Sequence, residues 1–168
     1  MLSDEQPLDM SEAAHVAWVR SRRDPALWHF AAMAALAYKR DKHRFLPWVV
    51  TQPELDRATA GWLFLWPEGS LYLLGTPDHF DFLNFATKDD MTALAKVICE
   101  RSQNLGFQRD AIGLDKDFDA ERLKCLDLAT RGKMAPGRMF PARLLAMPFS
   151  PEAKDLPYCL DDGLICLT

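Results

Sequence analysis

Between Asp24 and Trp66 the chain reads DPALWHFAAMAALAYKRDKHRFLPWVVTQPELDRATAGWLFLW, and its punctuation leaves little freedom in what it can become. Asp24-Pro25 is a helix start. An aspartate side chain can accept from the unpaired amides of a first turn, and proline suits the first helical position because it has no N–H to leave unpaired. Residues 26–37 are apolar almost all round, so the predicted helix lies centrally or against several neighbours. Asp41 can cap a shorter helix, in which Phe45, Leu46, Val49 and Val50 make one stripe. Pro47 falls within its first turn, and Gln52-Pro53 ends it. Asp56 then opens an apolar helix over 57–66. Trp28, Trp48 and Trp62 are expected in or beside the core, with Trp66 at the end of the stretch.

Outside this stretch the signals are sparser. Residues 1–10 read as a flexible tail. Ser11 is an expected N-cap for a first helix with Ala14, Val16, Ala17 and Val19 on its apolar face, and Arg20, Arg22 and Arg23 at its end, where positive charge is favoured. Residues 71–75 fit either a short strand or a helical turn. Thr76-Pro77-Asp78 opens a helical segment with Phe80, Phe82, Leu83 and Phe85. Asp89 and Asp90 start the longest predicted helix, with Met91, Leu94, Ala95, Val97, Ile98 and Cys99 inward and Gly106 as its stop. Residues 119–130 read as an amphipathic helix with Leu123, Leu126 and Leu128 apolar. Prolines 136, 141, 148 and 151 make 134–151 a wrapping segment with one short helix at 142–146. Asp162-Gly163 between two apolar runs is a hairpin signal. The expected fold is mostly α, a compact domain of about six helices with a small C-terminal β-hairpin. Its helical core spans 11–131, and its proline-rich wrapping segment and hairpin span 132–168, all in one globular domain over 11–168.

Composition narrows the function classes. A chain of 168 residues with 49% hydrophobic and 11% aromatic residues can bury a core without staples. A net charge of −4 argues against a general nucleic-acid binder, which needs a basic excess. Charges or prolines interrupt every apolar run, so no membrane span is expected, and the acidic start lacks the pattern of a signal peptide. The four cysteines, Cys99, Cys125, Cys159 and Cys166, show no metal-knuckle spacing. Cys99 and Cys125 fall in apolar helical patterns as buried thiols, and Cys159 and Cys166 would face each other across the hairpin. Together these features give a cytoplasmic, reducing setting.

A set of residues carries a family likeness. It comprises Trp28, His29 and Ala32 on an alanine-rich helix, Tyr38 and Asp41 after it, and a short proline-bearing helix. Pro53, Asp56, Thr59 and Ala60 follow in a P-x-x-D-x-x-T-A pattern, and then Gly69 and Tyr72. Over roughly residues 24–107 this resembles the uncharacterised bacterial family known as domain of unknown function 4274. Lys39-Arg40 stands where that family has Asn-Trp, and Leu55 where a cysteine is usual. The resemblance implies a compact, mostly helical domain and brings no activity with it.

No catalytic signature is present. His29, on an apolar helix near Asp24 and Trp28, is the one candidate catalytic group, as a general base acting with an acid such as Asp24, Asp41 or Asp56. The competing reading is a core histidine bonded to a neighbour. His15, His43 and His79 are scattered without the i, i+4 spacing of a metal pair, and Asp78-His79-Phe80-Asp81 has no second histidine beside it. Asp115-Lys116-Asp117-Phe118-Asp119 opens like a calcium loop, but Ala120 and Leu126 stand where glycine and glutamate are required, so helix capping accounts for it better. No metal and no cofactor are expected. Lys39, Arg40, Lys42, His43 and Arg44 form the densest basic run and are the candidate binding residues for an acidic protein partner or a second copy of the chain. The functional expectation is a non-enzymatic, bacterial, cytoplasmic protein-interaction module. One alternative is an immunity-type protein that neutralises a toxin, and a second is a small hydrolase-like enzyme using His29.

Overall fold

The computed structural model describes residues 2–76 and 88–168. Among these the chain is mostly α, with eight α-helices and one two-stranded antiparallel hairpin. The segment with Phe80, Phe82, Leu83 and Phe85, and the possible ligand set around His79, lie outside the described residues.

Helix α1 spans Ala13–Arg22 and α2 spans Pro25–Met33. The α1 start differs from expectation. Asp9 accepts from the Ser11 amide at 2.9 Å and its hydroxyl at 2.7 Å, so Ser11 is held in the preceding turn and Glu12 takes the cap position. Asp24 caps α2 as its sequence predicts, accepting from Ala26 N and Leu27 N. Beyond Met33 the chain widens into a π turn over Ala34–Tyr38, with the Lys39 amide donating to the Ala34 carbonyl at 2.9 Å. Helix α3, Phe45–Val49, takes its first-turn bonds from Asp41, which accepts from Phe45 N and Leu46 N. Helix α4, Arg57–Leu65, is capped by Asp56.

Residues 71–75, undecided between strand and helix, belong to helix α5, Gly69–Leu74. The run is too short for periodicity to choose, and packing against neighbouring helices decides it. Helix α6 is Lys88–Asn104, followed by a 3-10 turn at Lys116–Phe118, α7 at Asp119–Thr130 and α8 at Ala142–Leu145. Strands β1, Tyr158–Asp161, and β2, Leu164–Leu167, pair with Cys159 opposite Cys166, and both thiols are free. Asp162 and Gly163 both have positive φ, which is what a two-residue hairpin turn needs.

The core runs from Leu8 to Ile165, with Trp28, Phe45 and Phe64 its largest buried side chains. Two expectations give way here. Residues 8–10 are not loose: Leu8 bridges to Ile165 and is buried, as is Met10. In α7, Leu123 and Leu126 are 52% and 42% exposed, while Cys125 is the buried residue, because the helix packs on α5 through its Cys125 side. Cys99 is buried as expected, and burial pushes its thiol up to about 12.

Two buried arginines hold the irregular chain in place. Arg101 donates to the carbonyls of Val50 (3.0 Å) and Gln52 (2.6 Å). Arg57 donates to Leu144 O (3.0 Å), Pro148 O (3.1 Å) and Ala146 O, pairs with Asp110 at 3.1 Å, and lies over the Phe149 ring. A planar donor fork suits this task, since non-helical carbonyls in a core need donors from elsewhere. The wrapping segment is thereby fixed on α4, and it supplies one wall of the site described next.

Candidate ligand-binding cleft

The cleft starts from Asp56, which is wholly buried. One carboxylate oxygen accepts from Ala58 N at 2.9 Å and caps α4. The other accepts from Ala111 N (2.9 Å) and Ile112 N (3.2 Å) and forms an ion pair with Arg109 at 3.2 Å. A carboxylate so fully bonded has structural work to do: it ties loop 109–112 to the start of α4. Three residues after Asp56, Thr59 places its hydroxyl 2.9 Å from Nδ1 of His29 on α2. The loop beyond Ile112 then crosses α4 at Gly61, whose missing side chain lets Leu114 lie against the helix.

These connections frame a cavity of about 400 Å³ lined by His29 and Met33 of α2, Trp62 of α4 and Trp66 at its C-terminal cap, and Gly113, Leu114, Asp115, Asp117, Phe118 and Glu152. Trp62 and Trp66 are one helical turn apart, so their rings meet, stacked at 5.1 Å with 13° between planes. Glu152 comes from the wrapping segment. Its backbone sits so close to Gly113 that a side chain there would lie 2.5 Å from Pro151 O, and Ala153 N donates to Ile112 O at 2.7 Å. Gly113 also has φ +81°, a left-handed conformation that other residues resist.

His29 is partly buried on this wall, edge-on to Phe30. Burial away from water lowers its pKa to about 4, against a raising effect from the Asp56 charge. The ring is therefore neutral near pH 7. It is bonded to a neighbour, as one of the two readings of the sequence has it, but the neighbour is a hydroxyl and the ring also borders the cleft. Of the acids that could have activated it, Asp24 caps α2 and accepts from the Tyr158 hydroxyl at 2.5 Å, Asp41 caps α3, and Asp56 is used as above. Among the described residues the His29 ring makes its side-chain hydrogen bond to the Thr59 hydroxyl and none to a carboxylate.

The basic run 39–44 is largely consumed by the fold. Lys39 pairs with Asp9 at 3.5 Å, His43 Nε2 meets the Ser11 carbonyl at 2.9 Å, and Arg44 pairs with Asp90 at 3.3 Å. Arg20 ties the same loop down, donating to the carbonyls of His43 and Arg44. Arg40 and Lys42 remain exposed. None of the five lines the cleft.

Of the cleft residues, sequence reasoning singled out His29 alone as a functional candidate. The spacing of Trp62 and Trp66, one turn apart, is a stacking signal that could have marked them. In the acidic run the expected cap is Asp117 or Asp119, whereas α7 starts after Phe118 with no side-chain cap and the capping residue is Asp115, at the 3-10 turn. Asp115 accepts from Asp117 N at 2.8 Å. Nothing local announces Gly113 or Glu152. Among the described residues no group of three or more acids, histidines and cysteines is placed to hold a metal ion, and no helix is long and apolar enough to cross a membrane. Compared with protein-family models, curated proteins and solved structures, the chain matches none.

Proposed function

We propose that the chain is a non-enzymatic binding protein of a bacterial cytosol that acts by engaging a protein partner. The observation that carries this reading is the state of His29. Its Nδ1 is taken up by the Thr59 hydroxyl, its ring is neutral, and the three acids that sequence offered it, Asp24, Asp41 and Asp56, each serve a cap. A general base needs a poised pKa and a partner that orients it, and neither is supplied. The open cleft and the exposed Leu123 and Leu126, one turn apart on α7, suit recognition instead. The likeness to domain of unknown function 4274 belongs to the same proposal. Three residues that carry it, His29, Asp56 and Thr59, converge beside the cleft.

A photo-crosslinking amino acid at Leu123 of the full chain, expressed in its own host, tests the reading. One defined protein should be captured, and the Leu126→Asp variant should lose it. Absence of any specific adduct, together with hydrolytic turnover that disappears in His29→Gln, would favour the enzyme reading.

A further inference from the structure

The cleft combines two features that point to one ligand chemistry. Its apolar lining includes Trp62 and Trp66, stacked and nearly parallel, with Phe118, Met33 and Leu114, and its ionisable groups are a neutral His29 and the exposed Asp115, Asp117 and Glu152. No lysine or arginine lines it, and the exposed Lys116 is outside the lining although it lies between two of the acids. Capping explains Asp115, which accepts from Asp117 N, but it does not explain Glu152, which arrives from the wrapping segment. An anion would meet carboxylates here, and a neutral apolar ligand would leave the acids idle. A cation with a flat face gains twice, by lying against indole π-systems and by pairing with carboxylates. Guanidinium fits better than ammonium. It is planar, it stacks on aromatic rings, it is weakly hydrated, and its fork of donors can reach two acids at once.

We propose that this cleft is a guanidinium-binding site, taking the group on the outer face of the stacked Trp62–Trp66 pair, with the exposed Asp117 and Glu152 as its carboxylate partners. The proposal stands independently of the partner reading, because the guanidinium can belong to a free small molecule or to an arginine side chain.

The test is tryptophan fluorescence and calorimetric titration of the full chain with agmatine, beside N-carbamoylputrescine, which keeps the amine and replaces guanidinium by a neutral ureido group. Agmatine should saturate with a Kd below about 1 mM, and the ureido compound should bind at least about tenfold more weakly. Asp117→Asn combined with Glu152→Gln should weaken agmatine about fivefold while the thermal transition stays in place. Trp62→Leu should weaken it as well, and circular dichroism distinguishes this from unfolding. N-acetyl-arginine methylamide forms the second arm. Binding tighter than that of agmatine assigns the site to a protein's arginine, and the reverse assigns it to a free guanidine. Equal binding of agmatine and its ureido counterpart overturns the proposal. So does an undiminished affinity in the double variant, or no saturable response up to about 20 mM.

Discussion

The basic run at 39–44 and the cleft around His29 make opposite use of charge. In the run, five basic residues stand almost side by side in sequence, yet Asp9, Ser11 and Asp90 engage three of them, and Arg20 fixes the loop from the other side. In the cleft, residues from 29 to 152 are gathered from α2, α4, the loop that Asp56 anchors and the wrapping segment, and the acids on its lining carry no ion pair among the described residues. Density of charge along a chain is therefore a poor guide to a site. What matters is which charges the fold leaves unspent, and that is decided by long-range contacts.

The loop that carries the cleft's acids depends most on Asp56. Asp56→Ala removes a buried carboxylate from three amides and from Arg109, and should cost about 3–5 kcal/mol in urea denaturation. A cost near that of an exposed cap, about 1 kcal/mol, would mean the loop does not depend on it. Arg57→Met should cost about 2–4 kcal/mol and raise amide exchange over 144–153, since the carbonyls of Leu144, Ala146 and Pro148 lose their donor. Gly113→Ala should cost about 2–3 kcal/mol, from positive φ together with the clash on Pro151, and should displace Glu152 from the cleft.

The next effect is a pH dependence. His29 has a folded pKa of about 4 against 6.5 for the free group, so the unfolded chain binds the extra proton in that interval. The stability of the neutral ring is complete above pH 6.5 and is lost as pH falls toward 4. Allowing for the partial exposure of His29, wild type should lose about 2 kcal/mol more than His29→Gln between neutral pH and the lower limit, measured by urea titration at each pH. Burial raises the Asp41 pKa, which acts in the opposite direction but is common to both proteins and cancels in the difference. The smallest effect belongs to the run: Arg40→Ala with Lys42→Ala should leave stability within about 0.5 kcal/mol.

Local chemistry was legible and long-range convergence was not. Asp24-Pro25, Asp41 and Asp56 act as caps because the bonds they make lie within a few residues, and Asp162-Gly163 makes the hairpin for the same reason. The register that sets Cys159 opposite Cys166 follows from turn length alone. Leu123 and Leu126 read as core but stay exposed, since an apolar residue on a helix does not specify which neighbour covers it. Arg57 gave no sign of its burial, because the carbonyls it serves are some ninety residues away. The second acceptor role of Asp56, toward 111 and 112, is hidden in the same way behind an ordinary cap. His29 was flagged, with a bonded ring as one reading, but its Thr59 partner sits on another helix, and so the identity of that partner could not be read.

The most direct test sets the two regions against each other in one experiment: chemical-shift mapping of the isotope-labelled full chain, titrated with agmatine and separately with inorganic phosphate. Agmatine should give saturable shifts of the Trp62 and Trp66 indole N–H signals, and phosphate only weak, unsaturated shifts at Arg40 and Lys42. Saturable phosphate binding over 39–44, with the two indoles unmoved by agmatine, would contradict both expectations.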